Sequence, residues 1–200
     1  LAFEHPRRSR FFTSELAEFI VLCREQQWSP EEQLGSYAGA MGMSQFMPSN
    51  YRRLAVDGNG DGQVDLFEPV DAIYSIANYF VHHGWELEGR VTSRASVSAE
   101  FDTSVIGKGL KPNHSVEALG LVGYHPQDQV PVEWKARIIR FNDADGDEFW
   151  LGYQNFYVIS RYNPRSKYAM AVYQLSLSIL SAVSEADIEV DIEVDSTPDS

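Results

Sequence analysis

Three stretches of the chain repeat apolar residues at helical spacing. The first has apolar residues at positions 16, 19, 20 and 23 behind Ser14, a residue type that caps helices, and so predicts a helix over residues 15–27. The second, EPVDAIYSIANYFVHHGW, opens with Pro69 in a first-turn position and closes at Gly84, with apolar residues at 73, 76, 77, 80 and 81. The third, SKYAMAVYQLSLSILSAV, predicts a closing helix with apolar residues at 169, 172, 175, 179 and 183.

The pattern between the second and third helices is different. RVTSRASVSAEF is a short β-like run, one or two helical turns start at Ser115, and KARIIRF and FYVISRY alternate as two strands of a small sheet. We therefore predict a smaller mixed lobe over residues 86–160, inside one folded domain of residues 1–183. A further short helix in AMGMSQFMPSNYRRL is expected to be interrupted or to end near Pro48.

Composition narrows the class of protein. Residues 184–200 carry seven acids and neither Lys nor Arg, which predicts an acidic, disordered tail. Without it, the remaining 22 acids (29 minus 7) face 16 bases, so the body lacks the basic surface that nucleic acid requires. No run of about eighteen apolar residues predicts a membrane span. The only cysteine, Cys23, allows neither an internal disulfide nor a thiolate zinc site and is interpreted as a small hydrophobic residue.

The segment DGNGDGQVDLFEPVD, residues 57–71, has the spacing of an EF-hand loop. Such a loop takes side-chain oxygens from places one, three, five and twelve, a backbone carbonyl from place seven and often a water through place nine, with glycine at place six. These places are, in that order, Asp57, Asn59, Asp61, Glu68, Gln63, Asp65 and Gly62. We predict one structural Ca²⁺; a polar, glycine-rich turn is the alternative. The second acidic run, Asp143 to Asp147, has Glu148 where the glycine belongs and predicts a hairpin turn instead of a metal site.

The stretch GSYAGAMGMSQFMPSNYRRLA combines three glycines with polar and soft apolar side chains. Glycines allow close backbone approach, while Ser36 and Gln45 offer polar contacts and Met41, Met43 and Phe46 offer apolar ones. The combination indicates a tight, ligand-lining turn that leads into a helix. A packing contact between helices through small residues is the alternative.

This stretch, the acidic loop, DAIYSIANYF and RYNPRSKYAMAV, in that order, resemble the membrane-bound lytic transglycosylase B group, glycoside hydrolase family 103. The resemblance runs from His5 to about Val183. It implies a mainly α, lysozyme-like (α+β) fold with a single EF-hand-like calcium loop. It also implies a lyase that cleaves the β-1,4 bond between N-acetylmuramic acid and N-acetylglucosamine in peptidoglycan. The muramyl 6-hydroxyl attacks the anomeric carbon to leave a 1,6-anhydro end, and one Glu serves first as acid and then as base.

The same resemblance implies which residues meet the glycan strand. They are Ser36, Gln45, Tyr79, Tyr162, Asn163 and Tyr168, with Arg7 and Arg8 as a basic pair for a carboxylate. Amides and hydroxyls suit sugar hydroxyl and N-acetyl groups, and tyrosines offer a rigid apolar face with one polar tip. Tyr79 and Tyr168 could equally be core aromatics, and the arginines a solvated pair. The family's calcium loop closes three places later than usual, so Asp71 competes with Glu68 and is the favoured ligand.

The catalytic Glu of the family stands in a motif resembling ESxxG or ETxxG, and no such motif occurs in these residues. We expect it upstream of Leu1, since Glu4 aligns with another position and Glu15 and Glu18 fall on the first helix. The catalytic residue is therefore unknown here, and the 200 residues alone are expected to be inactive. The resemblance further implies a monomeric periplasmic protein, with an outer-membrane lipoprotein as an option for the full-length form. A non-catalytic peptidoglycan-binding homologue and a lone structural calcium domain are the alternatives.

Overall fold

The structure, a computed structural model, describes residues 1–107, 109–143 and 146–195, and for residues 143 and 185–195 it describes the backbone only. The chain forms two compact units, Leu1–His83 and Gly84–Ser200. The predicted smaller lobe, 86–160, falls within the second unit.

The first unit contains three helices: α1 (Ser9–Glu25), α2 (Pro48–Leu54) and α3 (Pro69–His82). Helix α1 begins six residues before the predicted start, because nothing between Pro6 and Ser14 interrupts it, and it ends before Gln27, whose φ is 57°. Helix α2 begins at Pro48, where the sequence predicted an end. Proline suits the first helical turn because its missing N–H has no intrahelical partner there.

The buried faces of α1 and α3 are rotated from the predicted ones. Helix α1 buries Phe12, Glu15, Leu22 and Cys23, whereas Leu16 and Ile20 are 38% and 51% exposed. In α3 the predicted apolar positions Ile73 and Val81 are each 65% exposed. The residues that α3 buries are Asp71, Ala72, Ser75 and Tyr79. Cys23 is buried as a small hydrophobic residue, as predicted.

The second unit contains a five-stranded antiparallel sheet. Its strands are β1 (Thr92–Val97), β2 (His114–Ser115), β3 (Tyr124–Pro126), β4 (Lys135–Asp143) and β5 (Gly146–Gly152), in the order β2-β4-β5-β1-β3. Helix α4 (Val116–Leu121) is capped by Ser115, whose hydroxyl accepts a hydrogen bond from Ala118 N–H. The buried core of the unit joins sheet and helix through Leu119, Tyr124, Ile138 and Leu151.

The prediction of a second strand at FYVISRY was wrong, because this segment lies in helix α5 (Gln154–Tyr162). Its buried residues include Ile159 and Ser160, three and four places after Phe156, which is helical spacing. Phe156, Val158 and Ser160 are also buried and alternate as the residues of a strand do. KARIIRF is a strand, and its partner is GDEFWLG, with Asp143 opposite Gly146. The two strands form a hairpin, as predicted, and the residues of its turn, 144 and 145, lie outside the described residues.

The last helix, α6, spans Ser166–Asp195. Its backbone passes the predicted domain end at 183, because no Gly or Pro interrupts the sequence between 166 and Pro198. The last five residues of the predicted tail, 196–200, lie outside the described residues. In the described part of the chain, no helix is long and apolar enough to cross a membrane.

Candidate functional site

The glycine-rich stretch forms a tight turn, which we call the motif turn (residues 35–47). Ser36 N–H donates to the carbonyl of Ala40 (2.8 Å), Gly39 N–H donates to the carbonyl of Ser36 (2.8 Å), and the Ser36 hydroxyl accepts from Ala40 N–H (3.1 Å). Gly39 has φ +87°, a left-handed conformation that favours glycine. The Ser36 hydroxyl is thus held by the backbone of its own turn.

The second half of the motif turn is a small two-sided bridge. Met41 and Phe46 exchange two backbone hydrogen bonds of 2.8 and 3.1 Å, and both side chains are 2% exposed. Gln45 takes the left-handed conformation (φ 51°), and its side-chain amide donates to the carbonyl of Gly42 (2.9 Å). This internal bond orients the exposed Gln45 side chain.

The motif turn is fastened to the later part of the acidic loop, at Leu66. Met43 N–H donates to the carbonyl of Leu66 (2.7 Å), and a Cβ on Gly42 would lie only 2.5 Å from the Leu66 Cβ and carbonyl oxygen. The Tyr51 hydroxyl donates to the carbonyl of Val64 (2.9 Å) and accepts from Leu66 N–H (3.2 Å). Burial raises the pKa of Tyr51 to about 12, so the hydroxyl keeps the proton that it donates.

A buried glutamate anchors the start of α2, directly after the motif turn, to α1. The two carboxylate oxygens of Glu15 accept from the Ser49 hydroxyl (2.7 Å) and the Ser49 N–H (3.0 Å), which satisfies a backbone donor in the first turn of α2. Sequence reasoning missed this pair. A signal was present, since Glu15 stands three residues after Phe12 and seven before Leu22 on the face that α1 buries.

Helix α1 and the motif turn enclose an open cavity of about 410 Å³. Most of its wall is apolar, with Glu15 and Ser36 among its polar side chains. Its lining includes Phe12, Glu15 and Phe19 from α1 and Ser36, Gly39 and Met41 from the motif turn. An apolar wall with a few fixed polar groups is typical of a small-molecule site.

The first unit contains three of the predicted sugar contacts. Two of them lie on the motif turn, and the third is a core residue. Ser36 lines the cavity, and Gln45 is exposed on the same turn. Tyr79 is 6% exposed, and its ring centroid lies 5.7 Å from that of Phe46 and 4.2 Å from that of His83. The core alternative describes the surroundings of Tyr79, and its contact with sugar stays a prediction.

The predicted basic pair precedes α1. Arg7 and Arg8 are both exposed, and their N–H groups donate to Nδ1 of His5 at 3.3 and 3.0 Å. The Arg8 guanidinium lies 4.4 Å from the ring centroid of Phe11, within cation–π range. A role for the pair in binding a carboxylate stays a prediction.

The remaining predicted contact residues come together in the second unit, at the connection between α5 and α6. Tyr162 ends α5, Asn163 is its C-cap, and Tyr168 lies in the first turn of α6. All three are half-buried. The carbonyl of Asn163 accepts from Arg165 N–H (2.7 Å), which shapes the reversal between the two helices.

The acidic loop is ordered by its own carboxylates. Asp57 accepts from the N–H groups of Gly60 (2.6 Å), Asp61 (3.2 Å) and Gly62 (2.8 Å), and Asp61 accepts from Gln63 N–H (2.8 Å). Gly60 and Gly62 take the left-handed conformation, with φ +79° and +87°. The repeated side-chain to backbone bonds wind the loop tightly.

The structure separates the two acids that compete to close the loop. Asp71, 1% exposed, accepts from the N–H groups of Asp65 (2.8 Å), Gly58 (2.8 Å) and Asn59 (3.4 Å). These bonds, that of Asp65 first, hold the pKa of Asp71 below its usual value. The Glu68 carboxylate instead accepts from Asp71 N–H (2.9 Å) and caps α3. Asp71 is therefore directed into the loop, and Glu68 toward the helix.

The donor set of the loop has the chemistry that Ca²⁺ requires, because its side chains present carboxylate and amide oxygens and its backbone presents carbonyls. In the described part of the chain, no three His, Cys, Asp or Glu side chains are grouped as metal ligands. The carboxylates of the loop accept from backbone N–H groups. Ligand oxygens from Asn59 and the Gln63 carbonyl would have to complete the set.

These features define the class of protein. Residues 1–177 match the family described as Transglycosylase SLT domain, and the chain belongs to this family. Among its relatives, the membrane-bound lytic murein transglycosylase B of Escherichia coli K12 is 41% identical over 182 residues, which are 91% of this chain and 49% of that protein. The predicted family is confirmed. This chain spans about half the length of that relative.

Solved structures agree. Soluble lytic transglycosylase SltB1 from Pseudomonas aeruginosa is 44% identical with a TM-score of 0.86, covering 92% of this chain and 61% of that one. Escherichia coli Slt35, solved in complex with calcium, is 41% identical with a TM-score of 0.83 (91% and 57% covered). P. aeruginosa SltB3, solved with NAG-NAM-pentapeptide, is 29% identical with a TM-score of 0.73 (86% and 46% covered). The helices and the five-stranded sheet thus have the lysozyme-like lytic transglycosylase fold, as predicted.

Proposed function

We propose that the chain is the substrate-binding part of a peptidoglycan lytic transglycosylase. The enzyme cleaves the β-1,4 bond between N-acetylmuramic acid and N-acetylglucosamine and leaves a 1,6-anhydromuramic end. The observation that carries this proposal is the motif turn, which is fastened at Leu66 and Ser49 and holds Ser36 in the wall of a mostly apolar cavity. A rigid wall of this kind suits a sugar ring, which has apolar faces and a polar rim.

The contact residues have distinct proposed roles. Ser36 and Gln45 hold sugar hydroxyl or N-acetyl groups from a turn whose backbone is fixed. Asn163 does so from the α5–α6 connection, where Tyr162 and Tyr168 offer ring faces to the sugar. Arg7 and Arg8 are the proposed partners of a carboxylate. The family and its fold support these roles.

We further propose that the general acid comes from outside these residues. Proton donation to a glycosidic oxygen requires a carboxyl group with a proton to give and within reach of that oxygen. Both oxygens of Glu15 accept hydrogen bonds from Ser49, and Glu18 pairs with Arg52. Glu4 is exposed to solvent, outside the cavity beside the motif turn.

Calcium is proposed as a structural ion. Asp57, Asn59, Asp61, Asp71 and the Gln63 carbonyl would hold it, and its charge would offset the repulsion between the three carboxylates. Glu68 is the less favoured ligand because it caps α3. The complex of Slt35 with calcium supports the proposal by relationship.

The proposed setting is the periplasm, with the protein acting as a monomer on peptidoglycan strands. Attachment to the outer membrane through a lipid would suit the membrane-bound relative from E. coli. A non-catalytic homologue that grips glycan without cutting it is the second candidate, and it is favoured by the engagement of Glu15 and Glu18 with other residues.

The experiment for the activity compares these 200 residues with a longer chain that includes an upstream ESxxG or ETxxG motif, if the gene encodes one. Each is incubated with purified sacculi, and the products are analysed for 1,6-anhydromuropeptides by mass spectrometry. We expect product from the longer chain only. Product from the 200 residues would place the acid among them, and no product from either chain would favour the binding protein.

The experiment for the site replaces Gln45 with Ala and measures binding of a peptide-free glycan chain. We expect binding to weaken about tenfold, as the loss of one or two well-placed hydrogen bonds predicts. Gln129→Ala, an exposed glutamine of the second unit, is the matched control and should bind as the parent does. Equal binding by both variants would remove Gln45 from the site.

A further inference from the structure

The second unit contains a groove that the proposed glycan contacts do not use. It has a volume of about 540 Å³ and runs along β4, between residues 106, 107, 109 and 110 on one side and the start of α6 on the other. Its β4 residues include Ile138, Arg140 and Asn142, and its α6 residues include Ser166 and Lys167. Arg165, just before the helix, completes this wall.

Among the described residues, one side of β4 is a strand edge without a pairing partner beyond Ala136. On that side β2 pairs with Lys135 and Ala136, and Asn113 N–H donates to the carbonyl of Ala136 (3.2 Å). Backbone groups alternate between the two sides of a strand, so those of Ile138, Arg140 and Asn142 point away from β5 as well. A strand edge of this kind can accept an extended peptide as an additional strand.

The groove concentrates positive charge, although the chain as a whole carries −13. Arg140, Arg165 and Lys167 line it, and the recorded partner of Arg140 is Asp147 at 3.6 Å. The first N–H groups of the 30-residue α6 add the positive end of a helix dipole. These cations and donors favour a ligand with carboxylates.

A buried guanidinium adds to this charge from beneath the groove. Arg137 is 8% exposed, its terminal nitrogen donates to the Asn113 side chain (3.0 Å), and its Nε has no hydrogen-bond partner. The guanidinium packs directly against Gly107, which lines the groove. Among the described residues, no carboxylate forms an ion pair with Arg137. A buried, unneutralised cation makes an anion in the groove more favourable.

We propose that this groove binds the stem peptide of peptidoglycan, extended along the free edge of β4 with its carboxylate toward Arg165 and Lys167. The inference rests on the proposed function, because it assumes a peptidoglycan substrate. A stem peptide is joined to muramic acid through its N-terminus and keeps a free C-terminal carboxylate. The edge from Ile138 to Asn142 is about 14 Å long at about 3.4 Å per residue, which suits a peptide of five residues.

The experiment measures binding of a synthetic pentapeptide, labelled at its N-terminus, to the 200-residue chain by fluorescence anisotropy at low salt. The acid form of the peptide is compared with its C-terminal amide. We expect the acid to bind about tenfold more tightly or better, the contribution of one charge-assisted hydrogen bond. The variant Arg165→Gln/Lys167→Gln should bind the acid no better than the amide. Arg24→Gln, which removes an exposed charge from α1, should bind as the parent does.

A second measurement tests the strand edge. Amide hydrogen exchange followed by NMR should slow at Arg140 and Asn142 when the acid peptide binds, whereas the amides of Ile139 and Phe141 already face β5. Equal binding of the acid and amide peptides, or no slowing at Arg140 and Asn142, overturns the inference.

The same assay separates this inference from the proposed function. A peptide-free glycan chain tests the proposed function alone. Glycan binding without peptide binding overturns the stem-peptide site and leaves the transglycosylase proposal standing. Peptide binding that fails in the double variant, without glycan binding, supports the groove and counts against the glycan contacts.

Discussion

The contact between the motif turn and Leu66 predicts a specific intolerance of Gly42. In a Gly42→Ala variant the added Cβ meets the Leu66 Cβ and carbonyl oxygen at 2.5 Å. The carbonyl cannot retreat freely, because it accepts the 2.7 Å hydrogen bond from Met43. The variant must either break that bond or move the turn away from Leu66 and the later part of the acidic loop.

Two costs add at this position. Gly42 has φ +67°, and an alanine in the left-handed region costs about 1–2 kcal/mol. Overpacking against a fixed neighbour costs a further 1–3 kcal/mol or so. We therefore expect Gly42→Ala to lower the free energy of unfolding by about 2–5 kcal/mol. Gly39→Ala is the matched control, because Gly39 has φ +87° but no heavy atom within 4 Å of the added Cβ, so only the backbone cost of about 1–2 kcal/mol remains.

The assay is urea unfolding followed by circular dichroism, with thermal melts in parallel. The free energies of unfolding of the two variants should differ by about 1–3 kcal/mol. In a chain of this size each kcal/mol shifts the melting temperature by about 2–4 °C. A Gly42→Ala variant no less stable than Gly39→Ala would refute the reasoning, because the contact with Leu66 is what separates the two positions.

Three further predictions concern the acidic loop and the buried Asn155. Ca²⁺ should raise the melting temperature, and Asp57→Ala should abolish the rise; melts with EDTA and with excess Ca²⁺ check this, and no calcium effect on the parent would contradict it. The pKa of Asp71 is lowered in the folded chain, so its contribution to stability should be present above the usual value of 3.8 and be lost as the pH falls below it. In calcium-free buffer, Asp71→Asn should reduce the fall in melting temperature at acid pH, and an unchanged fall would exclude Asp71 as its source. Asn155→Ala should cost about 2–4 kcal/mol in urea unfolding, because Asn155 is fully buried and bonds Glu86 N–H, Glu86 C=O and Gly89 C=O. Gln154→Ala, which loses a single 3.1 Å bond to Gly84, should cost under about 1 kcal/mol, and a similar cost for both would contradict the prediction.

Helical periodicity located α1 and α3 but assigned the wrong faces. The reason is that both helices bury polar side chains. In α3 the Ser75 hydroxyl accepts from Val56 N–H (3.0 Å), and Asp71 accepts from three backbone N–H groups around the acidic loop. Asp71 and Ser75 turn inward because they accept from these backbone N–H groups, while Ile73 and Val81 stay exposed. A pattern that counts apolar residues alone cannot register this demand, because it arises from a segment distant in sequence.

The candidate site was predictable where it depends on local backbone and hidden where it depends on distant contacts. Left-handed glycines and an acidic loop with regular spacing are local properties, so the motif turn and the loop at residues 57–71 could be recognised from the sequence. The bond from Glu15 to Ser49 spans 34 residues, so the position of Glu15 on the buried face of α1 indicates its burial but not its partner. FYVISRY, which the alternation predicts as a strand, is a helix for a related reason, because its packing buries Phe156 and Ile159 together.

Hydrogen bonds of Tyr51 and Leu66 connect the acidic loop to the motif turn. Leu66 lies in the later part of the acidic loop, directly after Asp65, and its carbonyl and N–H bind Met43 and Tyr51 respectively. Ordering of residues 57–65 by a cation would therefore also restrict the backbone at Gly42 and Met43, next to Gln45. Removal of Ca²⁺ should loosen the motif turn before it unfolds the helices, because two hydrogen bonds at Leu66 transmit the constraint.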